Sequence, residues 1–573
     1  MSAATLREFE LANPEEHAPA VDAILGANPF VGISTRDVLS SLGQFLRNLA
    51  AHPEQFSSRT SGFLNDLMQV AAGTSEIKPE PNDRRFTDPA FNENPFYLRV
   101  MQAYLAWRSA MHDLVGLSTE TIAGEDWKLP AQERFAVTLL TEALAPTNTL
   151  LGNPAALKRA FDTAGRSLLE GFRNYVNDLL TNGGMPSQVD KRPFAVGRNL
   201  AMTPGAVVHR GKLCELIQYK PATVQVYERP VLLVPPEINK FYIMDLAPKR
   251  SFTEYAVAHG LQFFTVSWRN PGPGDRDMGL DDYVNACKEA SAIVSAITGS
   301  PDINLLAVCA GGITSSVMLG HLKAIGDRRI NAATLIVTML DSSEPSMTGM
   351  FANEESVTAA IESSKKKGVL DAATLARSFA WMRPNDLVWH YWINNYLMGL
   401  NPAPFDILYW NSDSTNLPAQ LHADFLNIML HNPLMEPAAL NSLGTPISLR
   451  DVDNDMYVLA GQTDHICPWR ACHRASRLFG GRTEFVMSGS GHVQSMVCPP
   501  ANFKAKYFTN HHTGTDPDAW LKAATEHKGT WWDHWLEWMD KRSGDKRPAP
   551  TALGSSDYEV IEPAPGRYVH QSA

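Results

Sequence analysis

Ile303-Asn304-Leu305-Leu306-Ala307-Val308-Cys309-Ala310-Gly311-Gly312 is the stretch on which the fold turns. A continuous apolar segment of strand length stops at a cysteine, two glycines follow, and a helix-like segment runs from Ile313 to Leu322. This is the layout of a nucleophile elbow, a tight strand-to-helix turn that lifts one side chain into the open at the carboxyl end of a sheet. Serine is the usual occupant. A thiol there points to acyl transfer from a thioester and requires a base and an orienting acid elsewhere in the chain.

Working outward, short β-branched or apolar runs alternate with helical segments from about 205 onward. They are Val231 to Val234, Leu261 to Trp268, Ile303 to Val308, Ala333 to Leu340, Met456 to Ala460 and Thr483 to Met487. Such alternation implies βαβ units and a doubly wound, mostly parallel sheet, an α/β fold. The interval 342–452 lacks clear strands and carries Phe379, Trp381, Trp389, Tyr391, Trp392, Tyr396, Phe405, Tyr409 and Trp410. It reads as a cap insertion whose aromatic underside shields an apolar substrate. Residues 1–200 read as a mainly helical domain, and 201–573 as the catalytic one. In the first, Val100, Tyr104, Trp107, Met111 and Leu114 trace one helix face. Further helices are expected over 131–144 and 155–180, and the Pro-, Gly- and Ser-rich tail from Ser543 is expected to lie extended over the surface.

Two later runs end as suggestively as the first. Tyr457 to Ala460 leads into Gly461-Gln462-Thr463-Asp464-His465, and Glu484 to Met487 into Ser488-Gly489-Ser490-Gly491-His492. Cys309, Asp464 and His492 thus follow the chain order nucleophile, acid, histidine of α/β-hydrolases, each just past a strand, where an open parallel sheet places its crevice. An imidazole raises the thiolate fraction of a thiol whose free pKa is near 8.5, and a carboxylate on its other nitrogen fixes the tautomer. The Ala310 N–H supplies one oxyanion donor. The second comes from Val234-Pro235-Pro236-Glu237-Ile238-Asn239-Lys240; the prolines have no N–H, so Val234, the preferred candidate, or a residue after Pro236 must serve.

Bulk properties exclude several classes. The 573 residues are 44% hydrophobic and 19% charged, an ordinary globular composition, with a formal net charge of −11. Lys365-Lys366-Lys367 is the longest basic run, so nucleic acid is not an expected partner. No stretch approaches the roughly 18 apolar residues of a spanning helix, and Met1 to Ala20 lacks the pattern of a secretory signal. The six cysteines follow no disulfide framework, which fits a cytoplasmic home. Cys467, Cys472, His473 and Cys498 lack paired-ligand spacing, so no metal is expected. No dinucleotide or P-loop pattern occurs either. Trp531, Trp532, Trp535 and Trp538 suit a helix with one aromatic face, which docks on the core or, as the alternative, binds a lipid-like surface.

With these residues in hand, the chain resembles the polyhydroxyalkanoate synthases of the medium-chain, class II type. The resemblance is carried by Asn28-Pro29-Phe30-Val31-Gly32, Arg84-Arg85-Phe86-Thr87-Asp88-Pro89, Ile238-Asn239-Lys240-Phe241-Tyr242, Ser267-Trp268-Arg269-Asn270-Pro271, Phe405 to Asn411, Asp464-His465-Ile466, Gly491-His492 and Ala564-Pro565-Gly566 to His570. It implies a Cys309 thioester carrying a growing polyester, activation by His492, and an Asp464 that orients the histidine or helps deprotonate the incoming 3-hydroxyl. It further implies (R)-3-hydroxyacyl-CoA substrates, CoA release, no cofactor, and a homodimer on cytoplasmic polymer granules. The helical domain would help in the dimer and granule contacts. Thr338, Ser490, Gln494 and His465 are candidates for lining the substrate pocket. Two positions depart from the family: Ala307 replaces the first glycine of Gly-x-Cys-x-Gly, and Glu237 stands where an uncharged or aromatic residue is usual. Competing expectations are a thioesterase or depolymerase on the same fold and a catalytically silent granule-associated subunit.

Overall fold

The computed structural model describes residues 41–48, 53–81, 83–121, 127–346, 349–374, 384–511 and 514–572. The Asn28 to Gly32 string, Phe379 and Trp381 lie outside them. The chain divides into two compact units. One holds the described residues through Asp190 together with 384–404, and the other holds 191–374 and 405–572.

The first unit is built on helices α1 (Pro53–Ala72), α2 (Pro95–Thr121), α3 (Lys128–Ala143), α4 (Pro154–Asp162) and α5 (Arg166–Thr181). The apolar face of α2 is the expected one. Tyr104 packs with Phe86, Phe91, Met101 and Leu105, and Trp107 lies against that cluster. Leu114 packs with Phe45, Val115 and Val137, against which Met111 rests. The helix expected over 155–180 is divided, because Ala164 (φ 49°) and Gly165 (φ 83°) turn left-handed between α4 and α5.

Residues 384–404 require a correction to the cap. They group with the helical unit, held there by polar side chains far away in sequence. Arg159 Nε donates to Met398 O at 2.6 Å, Asn174 Nδ2 donates to Asn395 O and Leu400 O at 3.1 Å each, and Tyr396 OH donates to Asp178 at 2.8 Å. Trp389, Trp392 and Tyr396 stack edge to face among themselves, and Tyr175 joins Trp392 and Tyr396. Tyr396 is buried in the first unit, and Trp389 and Trp392 are half-buried there. Phe405, Tyr409 and Trp410 stay in the second.

The second unit is an eleven-stranded sheet. In chain order its strands are β1 (Gly205–Arg210), β2 (Cys214–Tyr219), β3 (Val231–Val234), β4 (Phe263–Trp268), β5 (Ile303–Val308), β6 (Ile330–Ile336), β7 (Asp455–Gly461), β8 (Thr483–Ser488), β9 (Lys506–Thr509), β10 (Thr525–Lys528) and β11 (Glu562–Pro563). The spatial order is β10-β9-β8-β7-β6-β5-β3-β4-β2-β1-β11. The stretch from β4 through β8 is parallel, and antiparallel strands flank it on both sides. This is the α/β-hydrolase fold. All six residues of β5 are buried, as befits a parallel strand covered on both faces. The run read as Ala333 to Leu340 ends as a strand at Ile336, since Val337 has φ 43°.

Trp531, Trp532, Trp535 and Trp538 lie on α10 of this unit (Trp531–Asp540, following α6 Leu280–Thr298, α7 Ala310–Ala324, α8 Glu354–Lys367 and α9 Ala419–His431). All four are buried, packing on Phe252 and Tyr457. The tail is more than a surface strap. Lys546–Pro548 pairs with Gln225–Tyr227, β11 extends the main sheet, and Lys240 Nζ donates to Val569 O at 2.6 Å and Gln571 O at 2.8 Å.

Candidate active site

Cys309 occupies the turn between β5 and α7 with φ 53° and ψ −122°, a backbone setting in which a residue with a Cβ is strained. The two glycines explain how the turn closes. A Cβ on Gly311 would come within 2.5 Å of Pro235 O, and one on Gly312 within 2.0 Å of Thr338 Oγ1. Ala307 does not prevent the elbow; it lies fully buried in β5, paired with Val234 and Leu335. Cys309 itself is half-buried, and the first amide of α7, on Ala310, bonds to it. The N-terminus of this fifteen-residue helix favours an anion there.

His492 begins a short helix after β8, and Asp464 lies in the turn after β7. The His492 Nδ1–H donates to Asp464 Oδ2 at 2.7 Å, both side chains being almost wholly enclosed. The other carboxylate oxygen, Oδ1, accepts the amides of Ile466 and Cys467 at 2.9 Å each, which fixes the plane of the carboxylate. With Nδ1 so engaged, the other ring nitrogen is the one left for Cys309, with which His492 interacts electrostatically. Burial alone would make the imidazole harder to protonate. The Asp464 charge and the Cys309 thiolate outweigh it and raise the histidine well above its ordinary range.

Cys309 has a second sulfur neighbour absent from the expected set. The nearby Cys467 thiol is the main cause of a Cys309 pKa held below the ordinary thiol range. Burial opposes this, and the His492 charge adds to it. Cys467 was set aside with the unsuited metal ligands. Its local signal is the spacing Asp464-x-x-Cys467, which returns the fourth residue of the turn toward the strand end. Asp464, Cys467 and His492 each bring a potential ligand atom within 4.8 Å of the others. The carboxylate and imidazole of that trio are already bonded to one another, which makes it an acid–base relay.

The loop after β3 forms the other flank. The Val231 N–H donates to Gln262 O on the β4 side, so alternation turns the Val234 amide toward β5, where Val234 pairs with Ala307. That amide serves the sheet, which corrects the preference for Val234 as oxyanion donor. Beyond the prolines, the amides of Glu237 and Ile238 are the next along the loop. Trp268 Nε1 donates to Pro235 O at 2.9 Å, Thr415 Oγ1 to Glu237 O at 2.9 Å, and Trp410 Nε1 to Lys240 O at 2.8 Å, so the loop is pinned along its length.

The Glu237 side chain is buried. Its Oε1 accepts from Thr314 Oγ1 at 2.6 Å, and its Oε2 has no hydrogen-bond partner. Burial pushes the carboxyl up to about 7; the Thr314 bond works against this, and the nearby Cys309 adds to it.

Of the pocket candidates, Thr338 is buried against the first turn of α7, its Oγ1 bonded to Ile336 O at 3.2 Å. The Ser490 carbonyl accepts from the Thr463 amide at 3.2 Å, which ties the histidine loop to the acid loop. His465 and Gln494 are half-buried, next to Asp464 and two residues after His492.

Over residues 82–256 the chain matches the family described as "Poly-beta-hydroxybutyrate polymerase (PhaC) N-terminus", and over 242–498 the family described as "alpha/beta hydrolase fold". It is 47% identical over 562 residues to Poly(3-hydroxyalkanoate) polymerase 1 of Ectopseudomonas oleovorans, covering 98% of this chain and 99% of that one. Identity is 46% over 543 residues to polymerase 2 of the same organism, covering 95% and 96%. It is 38% over 532 residues to the polymerase subunit PhaC of Cupriavidus necator, covering 91% and 89%.

Proposed function

Since the chain belongs to the poly(3-hydroxyalkanoate) polymerase family, we propose that it polymerises (R)-3-hydroxyacyl-CoA, medium-chain units foremost, into polyester with release of CoA. The observation that carries this reading is a thiol on a strained elbow, electrostatically coupled to a histidine whose Nδ1 is held by a buried carboxylate.

In the proposed mechanism Cys309 Sγ attacks the thioester carbonyl carbon. The proton taken from the thiol resides on His492 and passes to the departing CoA sulfur, leaving an acyl group on Cys309. The oxyanion that forms in between is met by the amide of Ala310 and by one from the loop beyond Pro236. His492, with Asp464 holding its tautomer, then takes the proton of an incoming 3-hydroxyl as that oxygen attacks the Cys309 thioester carbonyl. The C–S bond breaks, and Cys309 leaves as the thiolate and attacks the incoming unit's CoA thioester. The proton on His492 passes to the departing CoA sulfur, so each cycle exchanges a thioester for an ester. The reading asks for no metal or redox cofactor, because CoA is itself a competent leaving group. Thr338, Ser490, Gln494 and His465 are proposed to shape the acyl pocket and so set chain length.

We also place the enzyme as a homodimer on cytoplasmic granules, with the helical unit contributing to those contacts. Among the described residues no helix is long and apolar enough to cross a membrane.

The test is to incubate the full chain with (R)-3-hydroxyacyl-CoA, follow free CoA, and weigh insoluble polyester. CoA release matched by polymer is expected, and Cys309→Ala should abolish both while remaining folded. CoA release with free acid and no polymer would move the reading to a thioesterase. No turnover, with granule binding retained, would make the chain a silent granule subunit.

A further inference from the structure

The loop after β3 is clasped to the tail of the chain by one buried lysine. Resting on the reading of Cys309 as nucleophile with an oxyanion donor beyond Pro236, we propose that Lys240 is a positioning residue. Through residues 569–571 it holds this loop so that one of its N–H groups meets the oxyanion. Three observations carry this.

First, the loop lies against the elbow. A Cβ on Gly311 would come within 2.5 Å of Pro235 O and 2.7 Å of Val234 O, and Thr314, further along α7, donates to Glu237 Oε1 at 2.6 Å. Second, the loop is held by its acceptors. Pro235 O accepts from Trp268 Nε1 at 2.9 Å and Lys240 O from Trp410 Nε1 at 2.8 Å. Thr415 grips two carbonyls, its hydroxyl on Glu237 O at 2.9 Å and its amide on Ile238 O at 3.3 Å. Among the described residues, the N–H groups of Ile238 and Asn239 donate to no backbone carbonyl. A loop fixed in this way keeps its donors for a ligand.

Third, Lys240 closes a ring. Its side chain is 4% exposed, and its ammonium meets Asp413 Oδ1 at 2.8 Å, Val569 O at 2.6 Å and Gln571 O at 2.8 Å, so every proton has an acceptor. The tail is held again just past β4. The Asn270 amide donates to Gln571 Oε1 at 3.0 Å, and Asn270 Nδ2 to Ser572 O at 2.7 Å. Asn270 Oδ1 in turn accepts the amide of Asn416 at 2.9 Å, and Asn416 follows Thr415. Loop, lysine, tail and Thr415 thus form one closed circuit.

An apolar side chain of similar length at position 240 removes the tie to the tail and leaves Cys309, His492 and Asp464 in place. The loss should fall on the step that builds the oxyanion, and spare both substrate affinity and the reactivity of the thiol.

The experiment uses the full chain in the parent, Lys240→Met and Asn270→Ala forms. It measures CoA release from (R)-3-hydroxyacyl-CoA and, without substrate, the rate of Cys309 alkylation by iodoacetamide, resolved by peptide mass spectrometry. Lys240→Met should lower kcat about 10- to 100-fold, with KM and the alkylation rate within about twofold of the parent. Asn270→Ala opens the far side of the ring with Lys240 intact and should show the same split at about fivefold; it decides the matter if Lys240→Met does not fold. A kcat within about twofold of the parent in the deciding variant overturns the proposal. An alkylation rate that falls as far as kcat also overturns it, because the disturbance would then have reached the nucleophile. CoA release that survives Cys309→Ala would instead sink the nucleophile reading, so the two failures are told apart.

Discussion

The two flanks of Cys309 treat its charge in opposite ways. On the flank made by the ends of β7 and β8, Asp464 holds a histidine by its ring and Cys467 by its amide, and the histidine's charge favours the thiolate. On the flank made by the loop after β3, a buried carboxyl approaches the same sulfur with one oxygen unpartnered. An anion is stabilised where dipoles and protons are aimed at it in advance, and disfavoured where a second anion must be desolvated beside it. The comparison assigns the thiolate to the relay flank and a protonated acid to the Glu237 flank.

The sharpest way to break that assignment is Asp464→Asn. Asparagine keeps an oxygen for the Ile466 and Cys467 amides but presents an NH2 to His492 Nδ1. The ring must then accept at Nδ1 and carry its proton on the nitrogen facing Cys309, the wrong tautomer for a base. CoA release is expected to fall by about 10³ to 10⁴ in kcat with little change in KM. A loss of less than about tenfold would show that the relay flank does not govern the nucleophile.

Next in size is Gly312→Ala, at the seam between the flanks. The added Cβ would meet Thr338 Oγ1 at 2.0 Å and Thr338 Cβ at 2.8 Å, so either the elbow or β6's exit must shift. A loss of about 2–3 kcal/mol in urea unfolding is expected, partly recovered when Thr338→Ala removes the two nearest atoms. Strict additivity of the two substitutions would show that the contact does not set the turn.

How far this could be read from the chain differs between the same parts. Cys309, Asp464 and His492 each follow an apolar run directly, and local order is enough to place a residue at the mouth of a parallel sheet. Cys467 was not legible, because its place beside Asp464 and His492 depends on a turn that Asp464 closes only in three dimensions. Val234 was misjudged for a related reason. Whether its amide faces the site or the ladder depends on strand parity, which neither composition nor spacing carries. The antiparallel strands β1, β2, β9 and β10 mix charged and apolar residues and give no run to detect. The aromatic density of 384–404 was plain, but its place in the helical unit rests on Arg159, Asn174 and Asp178, which lie more than two hundred positions away.

The smallest effect on CoA release belongs to Glu237→Gln, and its value lies in its sign. The folded carboxyl, with a pKa of about 7, holds its proton more tightly than the unfolded one at 4.5. The proton is thus worth stability below pH 4.5, and that contribution is lost as pH rises through 7. Glutamine accepts the Thr314 hydrogen bond without ever ionising, so the variant should match the parent near pH 4.5 and gain on it through pH 7. The gain should reach on the order of 2–3 kcal/mol above that pH in urea unfolding. Catalysis should follow the same direction. Below the carboxyl's pKa both proteins present a neutral group to Cys309 and release CoA at similar rates; above it only the parent sets an anion beside the thiolate and the oxyanion. A ratio of variant to parent CoA release that climbs a few-fold between pH 6 and pH 8.5 is expected. A ratio flat across that interval, with the stability difference equally flat, would mean that Glu237 stays ionised throughout and that its flank does not oppose the thiolate.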